Sequence, residues 1–239
     1  MECANSWGGP GAAQGLDPVL GAYYEGVTVI CQLAARFSAS EWNARTPCPE
    51  WRARDLAGHL RCIADDYHEY LDDAPASRYA RLMASGPQPQ DLARKIARQN
   101  AAELAALADA PPAEHIAAFA LSARAYARRL PSVWDLPHHQ YLDQVVTVAG
   151  MAGAACAEWH LHAWDLARAL GTDYRPVDPE TVLAGWRAGM VHLPEGAADY
   201  AVVGRPRQAA DPWRVVLLAS GRLPTRAGRR LGPNRPHRR

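Results

Sequence analysis

Between Gly150 and Leu170 small and apolar side chains recur at helical steps, and no other stretch constrains the fold as much. Its second half reads Glu158-Trp159-His160-Leu161-His162-Ala163-Trp164-Asp165. Glu158 and His162 are one helical turn apart, so both project from the same face. The rest of that face is Ala154, Ala155, Leu161, Leu166 and Ala169. A carboxylate on such an inward stripe is costly unless its charge is compensated. A divalent metal compensates it, and a carboxylate plus an imidazole at helical spacing supplies half of a metal site. The competing reading is a buried ion pair, with Arg61 or Arg168 as the partner of Glu158.

The pattern elsewhere is also helical. Leu16 to Ser38 places Leu20, Tyr24, Val27, Ile30 and Leu33 at three- and four-residue steps. The stiff loop Thr46-Pro47-Cys48-Pro49-Glu50-Trp51 leads to a second helix, about Arg52 to Asp72, whose inward stripe reads Leu56, His59, Leu60, Ile63 and Tyr67. Residues 74–90 read as a connection. Helices follow at Asp91–Ala108 and Ala113–Leu130, separated and ended by prolines. Leu136–Val148 reads as a loop or short strand, and the Gly150–Leu170 helix stops at Gly171. Asp178–Gly189 is helical by pattern, residues 192–212 are loop-like, and Trp213–Ala219 suits strand or helix. The expectation is an all-α, four-helix bundle with extra helices over residues 16–221. A loose N-terminal arm (1–15) and a basic, loosely ordered C-terminal tail (222–239) flank it.

A third ligand is expected from a neighbouring helix. His59 is the one histidine on the apolar stripe of the second helix. Three protein ligands leave a coordination position open, as catalytic metals require. These donors are compatible with zinc, nickel, iron, cobalt or manganese, and spacing alone does not choose among them. The bland reading of His59 is a hydrogen-bonded core histidine. His160 points away from the other two, and His138-His139 read as solvated loop residues near a pocket mouth. Cys48 and Cys62 read as structural thiols, and Asp165 as a residue that orients a ligand imidazole or pairs with Arg168 or Arg61.

Composition narrows the alternatives. Of the 239 residues 49% are apolar and the formal net charge is +1, which gives no footing for nucleic-acid binding. No run of about 18 apolar residues exists to span a membrane. The N-terminal residues lack the pattern of a signal peptide, and the five scattered cysteines form no CxxC pair, which points to a reducing cytoplasm. GxGxxG, GxxxxGK[ST] and GxSxG patterns are absent, against dinucleotide, P-loop and serine-hydrolase chemistry. The chain has a single lysine, Lys95, beside abundant Arg and Ala, as a GC-rich genome would encode.

Two segments together resemble a known family. Thr46-Pro47-Cys48-Pro49-Glu50-Trp51 with Asp55-Leu56-Ala57-Gly58-His59-Leu60 is similar to the first signature of the mycothiol-dependent maleylpyruvate isomerase-like proteins of the DinB/YfiT-like group. Glu158 to His162 with Ala163-Trp164-Asp165-Leu166-Ala167-Arg168-Ala169-Leu170-Gly171 is similar to the second, and the likeness spans about Leu16 to Gly171. It implies a bundle whose divalent metal is held by His59, Glu158 and His162, with mycothiol, the low-molecular-weight thiol of actinobacteria, as cosubstrate.

Arg52 stands where the family usually has a capping Ser or Thr, residues 74–110 are longer than usual, and a full second domain is not expected. The expected activity is therefore thiol S-transfer to an electrophilic small molecule, in detoxification or natural-product biosynthesis. A metal lowers the pKa of a bound thiol, which then attacks an electrophilic carbon. Trp51, Trp159, Trp164 and Tyr67 are candidate pocket walls, with Trp51, Trp164 and Arg222 expected to bind the cosubstrate or an anionic group. The alternatives are an isomerase of the maleylpyruvate type, a non-catalytic ligand-binding bundle and a metal-dependent hydrolase that needs no thiol. The expected partners are small molecules alone, bound by a monomer or homodimer.

Overall fold

The computed structural model describes residues 13–48, 51–72, 78–190 and 211–223. Most of the expected arm, the stretch 191–210 and the tail from residue 224 onward lie outside the described residues. Eight helices are present among those described: α1 (Ala13–Ala34), α2 (Ala53–Asp72), α3 (Arg78–Ala84), α4 (Pro89–Ala106), α5 (Pro112–Arg129), α6 (Val148–Ala169), α7 (Pro179–Gly189) and α8 (Pro212–Ala219). A hairpin of β1 (Pro137–Tyr141) and β2 (Gln144–Thr147) joins α5 to α6, pairing Tyr141 with Gln144 and His139 with Val146.

Helices α1, α2, α5 and α6 form the four-helix bundle. α1 packs on α5 and α6, and α2 packs on α5. α2 and α6 touch far less than these pairs, so the fourth seam of the bundle stands partly open. The core is aromatic at its centre. Trp159 is fully buried, with its ring 5.9 Å from those of Tyr23 and Tyr67 and 4.9 Å from that of Phe119.

α6 is buried around almost its whole circumference, as expected of a helix enclosed by neighbours. Its small residues make room for α7. A Cβ on Gly153 would lie 2.6 Å from the Gly185 Cα, closer than any real contact. Gly185→Ala is therefore expected to force α6 and α7 apart and destabilise the protein by about 1–3 kcal/mol, the usual cost of overpacking. Urea denaturation checks this; an unchanged midpoint would contradict the packing.

Local chemistry sets the helix ends. Thr147 caps α6 by accepting a hydrogen bond from the Gly150 amide at 3.2 Å. Gly171, with φ +68°, ends it. At α2 the residue before the helix is Arg52, which cannot cap as Ser or Thr does. Asp55 supplies the reciprocal half instead, accepting from the Arg52 amide at 2.8 Å.

Two expectations need correction, and one open choice is resolved. Residues 74–90 are not all connection, because α3 forms within them and packs on β1. Trp213–Ala219 is helical. His138 and His139 are buried, not solvated, because β1 folds them against Tyr79, whose ring lies 5.1 Å from that of His139.

Buried imidazoles make the fold acid-sensitive. His160 is fully buried, donates from Nε2 to the Ala22 carbonyl at 2.8 Å and accepts from the Tyr174 hydroxyl at 2.5 Å. Burial lowers its pKa to about 4, and does the same at His138. Between pH 6.5 and about 4 the unfolded chain therefore binds protons that the folded chain refuses. Stability falls as pH falls through that window, by up to about 1.4 kcal/mol per pH unit for each group. Thermal melts from pH 7 to 4 should show a steadily falling Tm; a flat profile would contradict the buried neutral state of both rings.

Candidate metal centre

The partly open seam between α2 and α6 contains a cavity of about 570 Å³. His59 enters it from α2, Glu158 and His162 from α6. One ligand-capable atom of each lies within 4.8 Å of the others. His162 Nε2 is 3.2 Å from Glu158 Oε2, and the His59 and His162 rings are 5.1 Å apart and nearly perpendicular. The structure thus brings together the three residues singled out from the sequence.

The electrostatics fit a cation. Asp165 Oδ2 lies 3.0 Å from His162 Nδ1 and, being a carboxylate, can only accept, so Nδ1 carries the proton. His162 Nε2 is buried and makes no hydrogen bond. In a neutral ring its lone pair faces the oxygens of Glu158, an arrangement that only a proton or a metal relieves. Burial and the neighbouring His162 push His59 down to about 3, so it is a neutral donor at pH 7. Burial opposes the charge on Glu158, yet His162, Arg222 and His59 outweigh it and hold the carboxyl below its ordinary range. Burial also opposes protonation of His162, but Asp165 and Glu158 win and raise its pKa. Two imidazoles and a carboxylate of this kind suit a divalent cation.

Asp165 is the hub behind the ligands. It is fully buried, and Arg222, just after α8, reaches it with Nε at 2.9 Å from Oδ1 and Nη2 at 2.6 Å from Oδ2. Although burial raises its pKa, His162 and Arg222 hold the carboxyl down at about 2. Cys48 Sγ donates to Asp165 Oδ2 at 3.3 Å, placed by the Thr46–Trp51 loop that Thr46 Oγ1 closes on the Trp51 carbonyl at 2.8 Å. Cys48, His162 and Asp165 also cluster closely enough to suggest a second metal group, but the guanidinium of Arg222 already supplies the cation there. Burial and Asp165 push the Cys48 thiol up to about 12, so it stays protonated.

The other expected residues divide. Trp51 lines the cavity, its ring 4.4 Å from that of His59, and Tyr67 lines it from α2. Trp159 belongs to the core, and Trp164 packs half-buried against the core outside the cavity lining. Arg222 belongs to the folded body and pairs with Asp165, whereas Arg168 pairs with Asp173. Sequence reasoning missed Tyr70, Tyr79 and Lys95, which line the cavity from α2, α3 and α4. The helical spacing of Tyr70 and Lys95 was legible, but that of Tyr79, in a stretch read as a connection, was not, nor was which helices would flank the opening.

These features define a helical-bundle protein with a two-histidine, one-carboxylate centre open to a cavity. The sequence model of the mycothiol maleylpyruvate isomerase N-terminal domain matches residues 26–167, and the chain belongs to that family. No curated protein and no solved structure matches the chain. Among the described residues no helix is long and apolar enough to cross a membrane. The matched stretch contains His59, Glu158, His162 and Asp165, and ends before Arg222.

Proposed function

We propose that the protein is a metal-dependent thiol S-transferase that joins a low-molecular-weight thiol, mycothiol by family, to an electrophilic small molecule. The observation that carries this is the convergence of His59, Glu158 and His162 on one side of a cavity of about 570 Å³. A divalent cation held there lowers the pKa of a thiol bound to it, making sulfur nucleophilic near neutral pH.

The chain's own residues supply the rest. Asp165, locked by Arg222, fixes the His162 ring so that Nε2 faces the centre. Cys48 remains a neutral thiol and does not compete with the substrate sulfur. Tyr67 is buried in the cavity wall, and its pKa lies well above the ordinary value because of burial and Glu158. It therefore stays a neutral O–H donor, suited to the oxygen on which charge develops when sulfur adds to an unsaturated carbonyl. Tyr67→Phe is expected to lower kcat roughly 10- to 100-fold with little change in KM for the thiol. Steady-state kinetics checks this, and an unaltered kcat would remove Tyr67 from the reaction.

The family match also favours a second reading. In an isomerase of the maleylpyruvate type the thiol adds, the former double bond rotates, and the thiol leaves again. The two separate in one assay: metal-loaded protein, thiol and an unsaturated carbonyl acceptor, followed by mass spectrometry. Transfer yields the acceptor plus the thiol mass, whereas isomerisation returns an acceptor of unchanged mass and recycles the thiol. Turnover that proceeds without any thiol would refute both.

A further inference from the structure

The cavity is long and its charge is unevenly placed. Its α2 wall runs from His59 through Ile63, Asp66 and Tyr67 to Tyr70, eleven residue steps and about 16 Å at helical rise. α4 lies antiparallel beside it, since Leu104 meets Gly58 and Gln99 reaches Asp66 at 3.4 Å. Lys95, one turn before Gln99, therefore sits at the Tyr70 end, away from His59. The same end is aromatic: the Tyr70 and Tyr79 rings stack at 4.8 Å, with Leu82 and Ile96 beside them in the lining.

Lys95 is the chain's one lysine, and among the described residues it makes no ion pair. The carboxylates in the middle of the cavity are engaged elsewhere. Gln99 Nε2 donates to Glu103 at 2.7 Å and reaches Asp66, which also accepts from the Tyr70 hydroxyl at 3.2 Å. The cavity thus offers a cation-binding cluster at one end, a negative middle and an unpaired ammonium at the other end over an apolar, aromatic floor.

We propose that the electrophile is an elongated molecule with an aromatic or alkyl body and an anionic terminus that meets Lys95, while its reactive carbon lies at the His59–Glu158–His162 end. This rests on the thiol-transfer reading of the same cavity and adds the substrate class. A compact dicarboxylic acid, roughly 6 Å long by ordinary bond lengths, cannot reach both ends. The negative middle directs an anion to the Lys95 end, and Lys95 is a specificity-determining residue.

Calorimetric binding without any thiol tests this apart from catalysis. The probes are 6-phenylhexanoate, its neutral amide and 6-phenylhexyl phosphate. The proteins are wild type and Lys95→Gln, each zinc-loaded and chelator-stripped. The proposal expects wild type to bind one or both anions about tenfold more tightly than the amide, with and without zinc. In Lys95→Gln that preference should vanish while amide affinity is unchanged, and Lys95→Arg should restore it. The acid and phosphate arms then tell which terminus is preferred. Equal binding of anions and amide overturns the proposal. So does a preference that survives in Lys95→Gln, or one that exists only with zinc present, because the anion then meets the metal or Arg222. If the binding pattern holds but thiol transfer is absent, the transferase reading fails and the anion site stands.

Discussion

His59→Ala and Glu158→Gln should each abolish stoichiometric binding of a divalent cation. His59 is buried and pushed to a pKa of about 3, so it stands as a neutral donor with no proton to displace at pH 7. Removing it leaves one imidazole and one carboxylate, too few for a tight catalytic site. Glu158→Gln keeps the shape but removes the negative charge that offsets the cation. Loss of an outer partner typically weakens metal binding 10- to 100-fold, and loss of a ligand should exceed the upper end of that range, about 100-fold or more. Thiol-dependent activity should fall with it. Metal content after dialysis against a weak chelator checks this, with circular dichroism to show that the helices persist. Full metal content in His59→Ala would remove α2 from the site.

Asp165→Asn should have the second largest effect, and on two quantities at once. Asp165 is fully buried between the His162 imidazole and the Arg222 guanidinium. Its amide isostere leaves Arg222 as an uncompensated charge that is 11% exposed in its side chain. Breaking a buried ion pair on one side costs about 3–5 kcal/mol. The same change frees the His162 ring to turn, so metal affinity should drop 10- to 100-fold. Arg222→Met alone should also destabilise, because Asp165 is then left buried without its guanidinium. The double variant should recover part of the stability but not the metal affinity. Denaturant midpoints and metal titrations on the three variants read both effects. Additive stability losses would show that Asp165 and Arg222 do not act as a pair.

Much of the bundle was legible because its helices are long and their stripes regular. The α6 and α2 patterns placed Glu158, His162 and His59 on inward faces, and the fold brings those faces together across the α2–α6 seam. Which neighbours on α6 face the cavity was not legible. Nearly every side of this helix is buried, so periodicity does not separate Trp159 in the core from Glu158 in the cavity.

Contacts between distant segments were the other blind spot. Asp165 and Arg222 are 57 residues apart, and the stretch between them carries no period that predicts their meeting. His138 and His139 looked solvated because their burial depends on Tyr79, a residue of α3. Tyr79 of the aromatic floor and Lys95 belong to α3 and α4, whose place over the cavity is set by tertiary packing alone.

X-ray absorption of the zinc-loaded protein, recorded before and after adding a low-molecular-weight thiol, puts the whole reading at risk in a single experiment. The expected spectrum has two imidazoles and carboxylate oxygen around the cation, and sulfur at about 2.3 Å once thiol is present. A shell without imidazole, or one that thiol leaves unchanged, would contradict a centre built from α2 and α6 to activate sulfur.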